Sequence, residues 1–180
     1  MRGAVAGGTR YIAVIGSGDA GAELLADAEL VGRRLGEAGA VVVCGGLGGV
    51  MEAACRGARA AGATTVGLLP GSDRSAANEH VEIAIATGLG ELRNGLVVRA
   101  ADAVVAVGGE FGTLSEIGFA LRLGVPVVGL RTWELARGGV ADERIVRAVD
   151  AEEAAQRALE LAREGGRGRA GGHGRSPTAP

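Results

Sequence analysis

The sequence predicts an α/β fold, an open parallel sheet with helices on both faces, built as a single domain. Three observations carry this. Short apolar runs alternate with segments of helical period, the pattern of successive βα units. Glycines concentrate where an apolar run hands over to a helix. The length of 180 residues with 47% hydrophobic side chains suits one sizeable core and leaves little for a second.

Taken in order, Tyr11 to Ile15 reads as the first strand, ending in Gly16-Ser17-Gly18. A helix from about Ala22 to Ala38 carries Leu24, Ala28, Val31 and Leu35 on one stripe, and Gly39 closes it. Ala40 to Cys44 is a second strand, and the run Gly45 to Gly49 turns into a helix over Val50 to Ala61. Thr64 to Leu69 is a third strand, stopped by Pro70-Gly71, and Ser72 to Glu79 reads as loop. Val81 to Ala86 suits a short strand, Leu89 to Ala100 a helix, and Asp102 to Val107 a strand in which Asp102 serves as a turn or cap partner.

Gly108 to Gly112 then leads into a helix over Thr113 to Leu123, and Pro126 to Leu130 is a further strand. Arg144 to Val149 is read as the last strand. The closing helix starts after Asp150, whose spacing from Glu153 is that of a capping box, and ends near Glu164. The domain is thus expected over residues 10–164, with an N-terminal extension over 1–9 and a disordered Gly/Arg/Pro tail over 165–180.

Composition excludes several chemistries. Lysine is absent, so a Schiff-base or pyridoxal-phosphate enzyme and a Walker-A nucleotide site lack their essential amine. The net charge of −2 and four aromatic residues argue against nucleic acid as a partner. No apolar run is long enough to span a bilayer, and the N-terminus lacks a secretory stretch. Cys44 and Cys55 are not in a zinc spacing, and His80 and His173 complete no cluster, so the spacing reveals no metal site. Cys44 is expected to pack as a small buried residue. A cytoplasmic, reducing setting is the expectation.

Three glycine turns sit at strand-to-helix junctions, where ligands bind in open parallel sheets. They contain Gly16 and Ser17; Gly45, Gly46, Gly48 and Gly49; and Gly108, Gly109 and Gly112, followed by Thr113. Each can offer backbone N–H groups and the positive end of a helix dipole to a phosphate. Glycine turns are also ordinary punctuation, and with 34 glycines some clustering arises by chance. No turn spells the dinucleotide fingerprint G-x-G-x-x-G, so a single phosphate or a nucleoside monophosphate fits better than NAD.

Thr113 and Glu116 have the spacing of a capping box, with Thr113 as N-cap and Glu116 reaching back to its amide. A functional reading sends Thr113 to a phosphate and Glu116 to the adjoining sugar. The two readings compete for the Glu116 carboxylate. Arg93 and Arg99 are six residues apart, about 240° on a regular helix, so one pocket cannot receive both. Arg93, at the helix start, is the better placed. The helix over Thr113 to Leu123 carries two apolar stripes, Leu114/Ile117/Leu121 and Phe119/Leu123, which predict a homo-oligomer of at least two copies.

The runs Gly45 to Met51, Thr87 to Asn94, Ala101 to Ala103 and Gly108 to Glu116 resemble those of the LOG-like Rossmann superfamily. That group includes the Lonely Guy phosphoribohydrolases, molybdenum-cofactor carrier proteins, and members once labelled lysine decarboxylases. The resemblance implies a Rossmann-like sheet over about residues 10 to 164. It implies that Gly108, Gly109, Gly112 and Thr113 hold a phosphate, that Arg93 and Asn94 contact the ligand, and that Glu116 assists N-glycosidic cleavage in the hydrolases. Two positions depart from the hydrolase pattern P-G-G-x-G-T-x-x-E with its Arg-Lys pair: Val107 replaces the proline, and Arg93-Asn94 replaces the pair. Both departures are similar to the carrier-type bacterial branch. The expected function is therefore binding of a phosphate-bearing ligand, a nucleotide or a molybdopterin-type cofactor, with no cofactor required. The alternative is a nucleoside 5′-monophosphate phosphoribohydrolase using Glu116 and Arg93. Decarboxylation is excluded by the missing lysine.

Overall fold

The computed structural model describes residues 8–169, with side chains through Arg163. Seven parallel strands form the main sheet, in the order β4-β3-β2-β1-β5-β6-β9. Their spans are β1 Tyr11–Gly16, β2 Val41–Cys44, β3 Thr65–Leu69, β4 Ile83–Ala86, β5 Ala103–Val107, β6 Val127–Leu130 and β9 Ile145–Arg147. The helices are α1 Ala22–Glu37, α2 Val50–Ala60, α3 Asn94–Arg99, α4 Phe111–Leu123 and α5 Ala151–Arg169. The predicted α/β class with helices on both faces is the observed one.

Alternation along the strands sorts the core into two layers. Ile12, Val14, Val42, Val105 and Val128 face α1, α2 and α5. Ala13, Ile15, Val43, Val104 and Val127 face α3 and α4. β5, buried at every position, is flanked by β1 and β6 and reads as a continuous apolar run. On the first face α1 and α2 cross in close contact: a methyl group added at Gly57 would lie 1.9 Å from the Glu29 carbonyl oxygen. Glycine there serves helix packing.

Sequence order reverses between β1 and β5, where Gly16 pairs with Val107. Chains leaving these two strands part toward opposite faces, so a crevice opens beyond their carboxyl ends. The first and third glycine turns meet at that switch point.

Several boundaries differ from expectation. The helix expected over 89 to 100 is a 3-10 turn, Gly90–Arg93, followed by the short α3. Gly88 and Gly90, at φ +65° and +55°, bend the chain away from a regular helix. α4 starts at Phe111 with Glu110 as N-cap, so Thr113 is no cap and the Thr113/Glu116 capping box does not form. At the start of α5 the predicted pair does form: Asp150 Oδ1 accepts from the Glu153 N–H at 2.8 Å, and Glu153 Oε2 accepts from the Val149 N–H at 2.8 Å. α5 continues to Arg169 rather than ending near Glu164, running on through Gly165, Gly166 and Gly168. Of the extension expected over 1–9, residues 1–7 lie outside the described residues, as do residues 170–180 of the tail expected over 165–180, whose first five residues belong to α5. A small antiparallel hairpin, β7 Leu135–Arg137 and β8 Val140–Asp142, was not anticipated. Asp102, expected as a turn or cap partner, instead ties two strands: its carboxylate accepts from the N–H of Tyr11 at the start of β1 at 2.9 Å. No helix among the described residues is long and apolar enough to cross a membrane.

Candidate functional site

The switch point opens into a cleft of about 320 Å³. β1 delivers Gly16, Ser17 and Gly18 to one wall, and the 3-10 turn and α3 deliver Glu91, Arg93 and Asn94 to another. The first turns of α4 supply Gly112, Thr113 and Glu116, with Leu47, Met51 and Pro70 as apolar floor. Residues that the sequence scatters over about a hundred positions thus share one cavity.

Arg93 dominates its electrostatics. Its side chain is only 9% exposed, its Nε is buried without an acceptor, and it makes no hydrogen bond among the described residues. A guanidinium carries five N–H donors and does not lose its charge, so burying it unpaired is costly. Its one charged neighbour is Glu116, 3.8 Å from Nη1, beyond hydrogen-bond reach. Glu116 is itself buried, and burial pushes its carboxyl up to about 7 despite the opposing pull of Arg93. The pair is therefore loosely coupled, and near neutral pH the carboxyl is divided between acid and carboxylate. Arg99, at the end of α3, is exposed and does not line the cleft.

α4 points its N-terminus at the same space. The first-turn amides of a helix have no intrahelical acceptor, and Gly112 has nothing within 4 Å of where a methyl group would sit. Thr113 and Glu116, one turn apart, lie on the buried face of α4 and line the cleft. Asn94 braces this helix: its Nδ2 donates to Ser115 Oγ at 3.1 Å, and Ser115 Oγ donates to the Gly112 carbonyl at 2.6 Å.

The glycine turns divide. Gly16, Ser17, Gly112 and Thr113 line the cleft, whereas Gly45, Gly46, Gly48, Gly49, Gly108 and Gly109 do not. Within the second turn the Gly46 N–H is engaged internally, donating to Cys44 Sγ at 3.3 Å, and the Val50 N–H that follows it donates to the Ser17 carbonyl at 3.0 Å. Gly45 serves the site indirectly, because a methyl group there would lie 2.3 Å from Arg93 Nη1. Only glycine leaves room for the guanidinium. Gly109 packs against Thr113 in the same sense, at 2.5 Å from its side chain. Gly18, part of the first glycine turn, also lines the cleft, and sequence reading missed Leu47, Met51, Pro70, Gly90, Glu91 and Glu110; their signal was adjacency to the glycine turns and the Arg93 run. Cys44 is buried with its sulfur 3.4 Å from that of Cys55, as a packed thiol pair.

A larger hollow of about 790 Å³ opens between β6, β9 and the β7–β8 hairpin. Four of its charged side chains pair with one another, Arg147 with Glu134 at 2.9 Å and Arg144 with Asp142, and Arg131 pairs with Asp27 of α1 at 3.1 Å. The smaller cleft holds a buried guanidinium whose Nε has no hydrogen-bond acceptor among the described residues, and is the better candidate site.

Known proteins resemble this arrangement. The chain is 42% identical over 120 residues to an uncharacterized protein of Archaeoglobus fulgidus, covering 67% of this chain and 79% of that one. It superposes with a TM-score of 0.77 on the molybdenum cofactor binding protein of Rippkaea orientalis, at 30% identity, covering 85% of this chain and 97% of that one. The molybdenum cofactor carrier protein of Chlamydomonas reinhardtii matches with a TM-score of 0.74 at 30% identity, covering 85% and 98%. Residues 9–162, most of the described fold, match the model of the SLOG cluster4 family, and the chain belongs to that family.

Proposed function

We propose that this protein binds an anionic, phosphate-bearing ligand in the switch-point cleft, a pterin phosphate of the molybdenum-cofactor type before a nucleotide. The observation that carries the reading is the buried Arg93 guanidinium, without a hydrogen bond and with Nε lacking any acceptor. A phosphate oxygen supplies the missing acceptors, and charge-assisted bonds of this kind are about twice as strong as neutral ones. The α4 N-terminus adds amides and a favourable dipole. Similarity to two proteins named for molybdenum cofactor binding or carriage supports the cofactor class. The cleft fits such a headgroup through its donors, and its apolar floor at Leu47 and Met51 offers a surface for a ring. When bound, the cofactor would supply a molybdenum centre. Arg93 and the α4 amides would hold its phosphate, and Asn94 would keep α4 in place.

One observation favours hydrolysis as a second reading: the Glu116 carboxyl, lifted to about 7 inside the cleft, suits proton transfer at neutral pH. In that reading Glu116 stabilises an oxocarbenium-like sugar during loss of the base. The partly exposed Leu96 and Phe119 on α3 and α4 support the self-association expected from sequence.

One experiment addresses both readings. AMP, GMP and a pterin phosphate are titrated by calorimetry into wild type and Arg93→Gln, with chromatography of each mixture for free base. Binding weakened by about tenfold or more in the variant supports the site. No binding of any anion by wild type overturns it. Free base released from AMP by wild type but not by Glu116→Gln selects the hydrolase.

A further inference from the structure

Away from the cleft, α2 and the loop before β4 bring together Glu52, Glu79 and His80, with one ligating atom of each lying within 4.8 Å of the other two. We propose that these three side chains form a site for a divalent transition-metal cation, with Zn²⁺ the ion that suits them best. Two carboxylate oxygens and one imidazole nitrogen are a donor set for zinc, with a water completing a tetrahedron. The imidazole disfavours Mg²⁺ and Ca²⁺, which take oxygen ligands, and the absence of a thiolate disfavours Cu(I).

The backbone under these ligands is already fixed. The Thr65 hydroxyl, fully buried, donates to the His80 carbonyl at 2.7 Å, and the His80 N–H donates to Asn78 Oδ1 at 3.1 Å. Asn78 Nδ2 in turn donates to the Leu47 carbonyl at 2.8 Å. Glu52 stands in the first turn of α2, facing this loop. Only side-chain rotation, chiefly of the exposed Glu79, is needed to draw the donors in to ligating distance.

The surrounding charges compensate the cluster only in part, Arg56 acting on Glu52 from a distance. Arg56 is engaged by Glu29 at 2.8 Å and Arg59 by Glu82 at 2.5 Å. The half-buried Glu52 carboxylate accepts no hydrogen bond and makes no ion pair within 4.0 Å among the described residues. The imidazole of His80 likewise has no hydrogen bond there; its only charged neighbour within 4.0 Å is Glu79, 3.9 Å away. Two carboxylates beside a free imidazole nitrogen are relieved by a cation. Once bound, it would pin the loop over 78–80 to α2, on the outer side of the Gly45 to Gly49 turn. None of the three residues lines the cleft, so this site stands independently of the proposed ligand.

The test titrates Zn²⁺ into the full chain in competition with a chromophoric chelator, and records the absorption spectrum with Co²⁺ as a substitute. One equivalent of tightly held metal is expected, weakened by about tenfold or more in Glu52→Gln and in His80→Ala. The Cys44→Ala/Cys55→Ala double variant and His173→Ala should keep it, and the Co²⁺ spectrum should lack a thiolate charge-transfer band. Circular dichroism checks that each variant is folded. Failure of wild type to compete with the chelator overturns the proposal, as does equal affinity in wild type and both ligand variants. A thiolate band, or loss of the metal in the cysteine variant, also overturns it, by moving the metal to the thiol pair.

Discussion

The turns Gly45 to Gly49 and Gly108 to Gly112 look alike in sequence, yet they differ at the glycine nearest the helix: Gly49 is hemmed in by backbone and Gly112 is open. In the first, the space a side chain would occupy is filled by the protein itself: Arg93 Nη1 lies 2.3 Å from the methyl position of Gly45, and the Ser17 carbonyl oxygen 2.3 Å from that of Gly49. The Gly46 N–H is bonded within the fold, to Cys44 Sγ. In the second, Gly108 and Gly109 make the bend at φ +55° and +110° and are likewise hemmed in, by Leu24 at 2.7 Å and Thr113 at 2.5 Å, whereas Gly112 opens on empty space at the start of α4. One turn cradles the cation that the site needs, and the other leaves the site accessible. Glycine density therefore marks close approach of backbone to something, and only the neighbours tell whether that something is protein or ligand.

The sharpest break of this contrast is Gly49→Ala. It places a methyl group on a residue at φ +65° and drives it into the Ser17 carbonyl. A loss of about 3 kcal/mol or more in folding stability is expected, read from the denaturant midpoint. An unchanged midpoint would mean that the first turn is not closed by its own backbone.

Next in size is a pH effect at Glu116. Its carboxyl sits at about 7 in the folded chain against an ordinary 4.5, so the folded state binds a proton that the unfolded state releases in between. That contribution is fully present below about 4.5 and is lost as the pH rises through about 7. Relative to Glu116→Gln, the wild type should lose up to about 3 kcal/mol of stability between these limits. Parallel stability–pH curves for the two proteins would show that the cleft is wet enough to solvate the carboxylate.

The smallest effect tests the open turn. Gly112→Ala adds a methyl group with no neighbour within 4 Å, inside a helix, where alanine is favoured over glycine by about 1 kcal/mol. Stability should hold or rise slightly while affinity for a phosphate-bearing ligand falls, measured by denaturation and calorimetry on one preparation. Unaltered affinity would take the α4 N-terminus out of the ligand's reach.

Much of the fold was legible because strands buried on both faces are near-continuous apolar runs; β5, Ala103–Val107, could hardly be anything else. The β7–β8 hairpin escaped because its strands are short and largely exposed, although Gly138-Gly139, at φ +59° and +80°, carries a recognisable two-residue turn signal. At the site, the spacing of Thr113 and Glu116 fits two structures equally, since residues three apart share a helix face whether or not the first is the cap. Where the helix begins decides between them, and Glu110 in extended conformation begins it early. Arg93 and Arg99 part without the regular helix that the angular argument assumed, because Arg93 ends the 3-10 turn while Arg99 ends α3 on the exposed side.

By itself the amino-acid order determined the sheet, its two helical layers, the placing of glycine turns at strand ends, and the exclusion of every lysine-dependent chemistry. Those follow from local periodicity and composition, which act between near neighbours. Tertiary structure alone decided that Arg93 lies buried without an acceptor against Gly45, that Glu116 turns into the cleft instead of capping α4, and that Glu52 meets His80. Burial and charge pairing arise between groups far apart in the chain, and no spacing in the sequence encodes the distance between them.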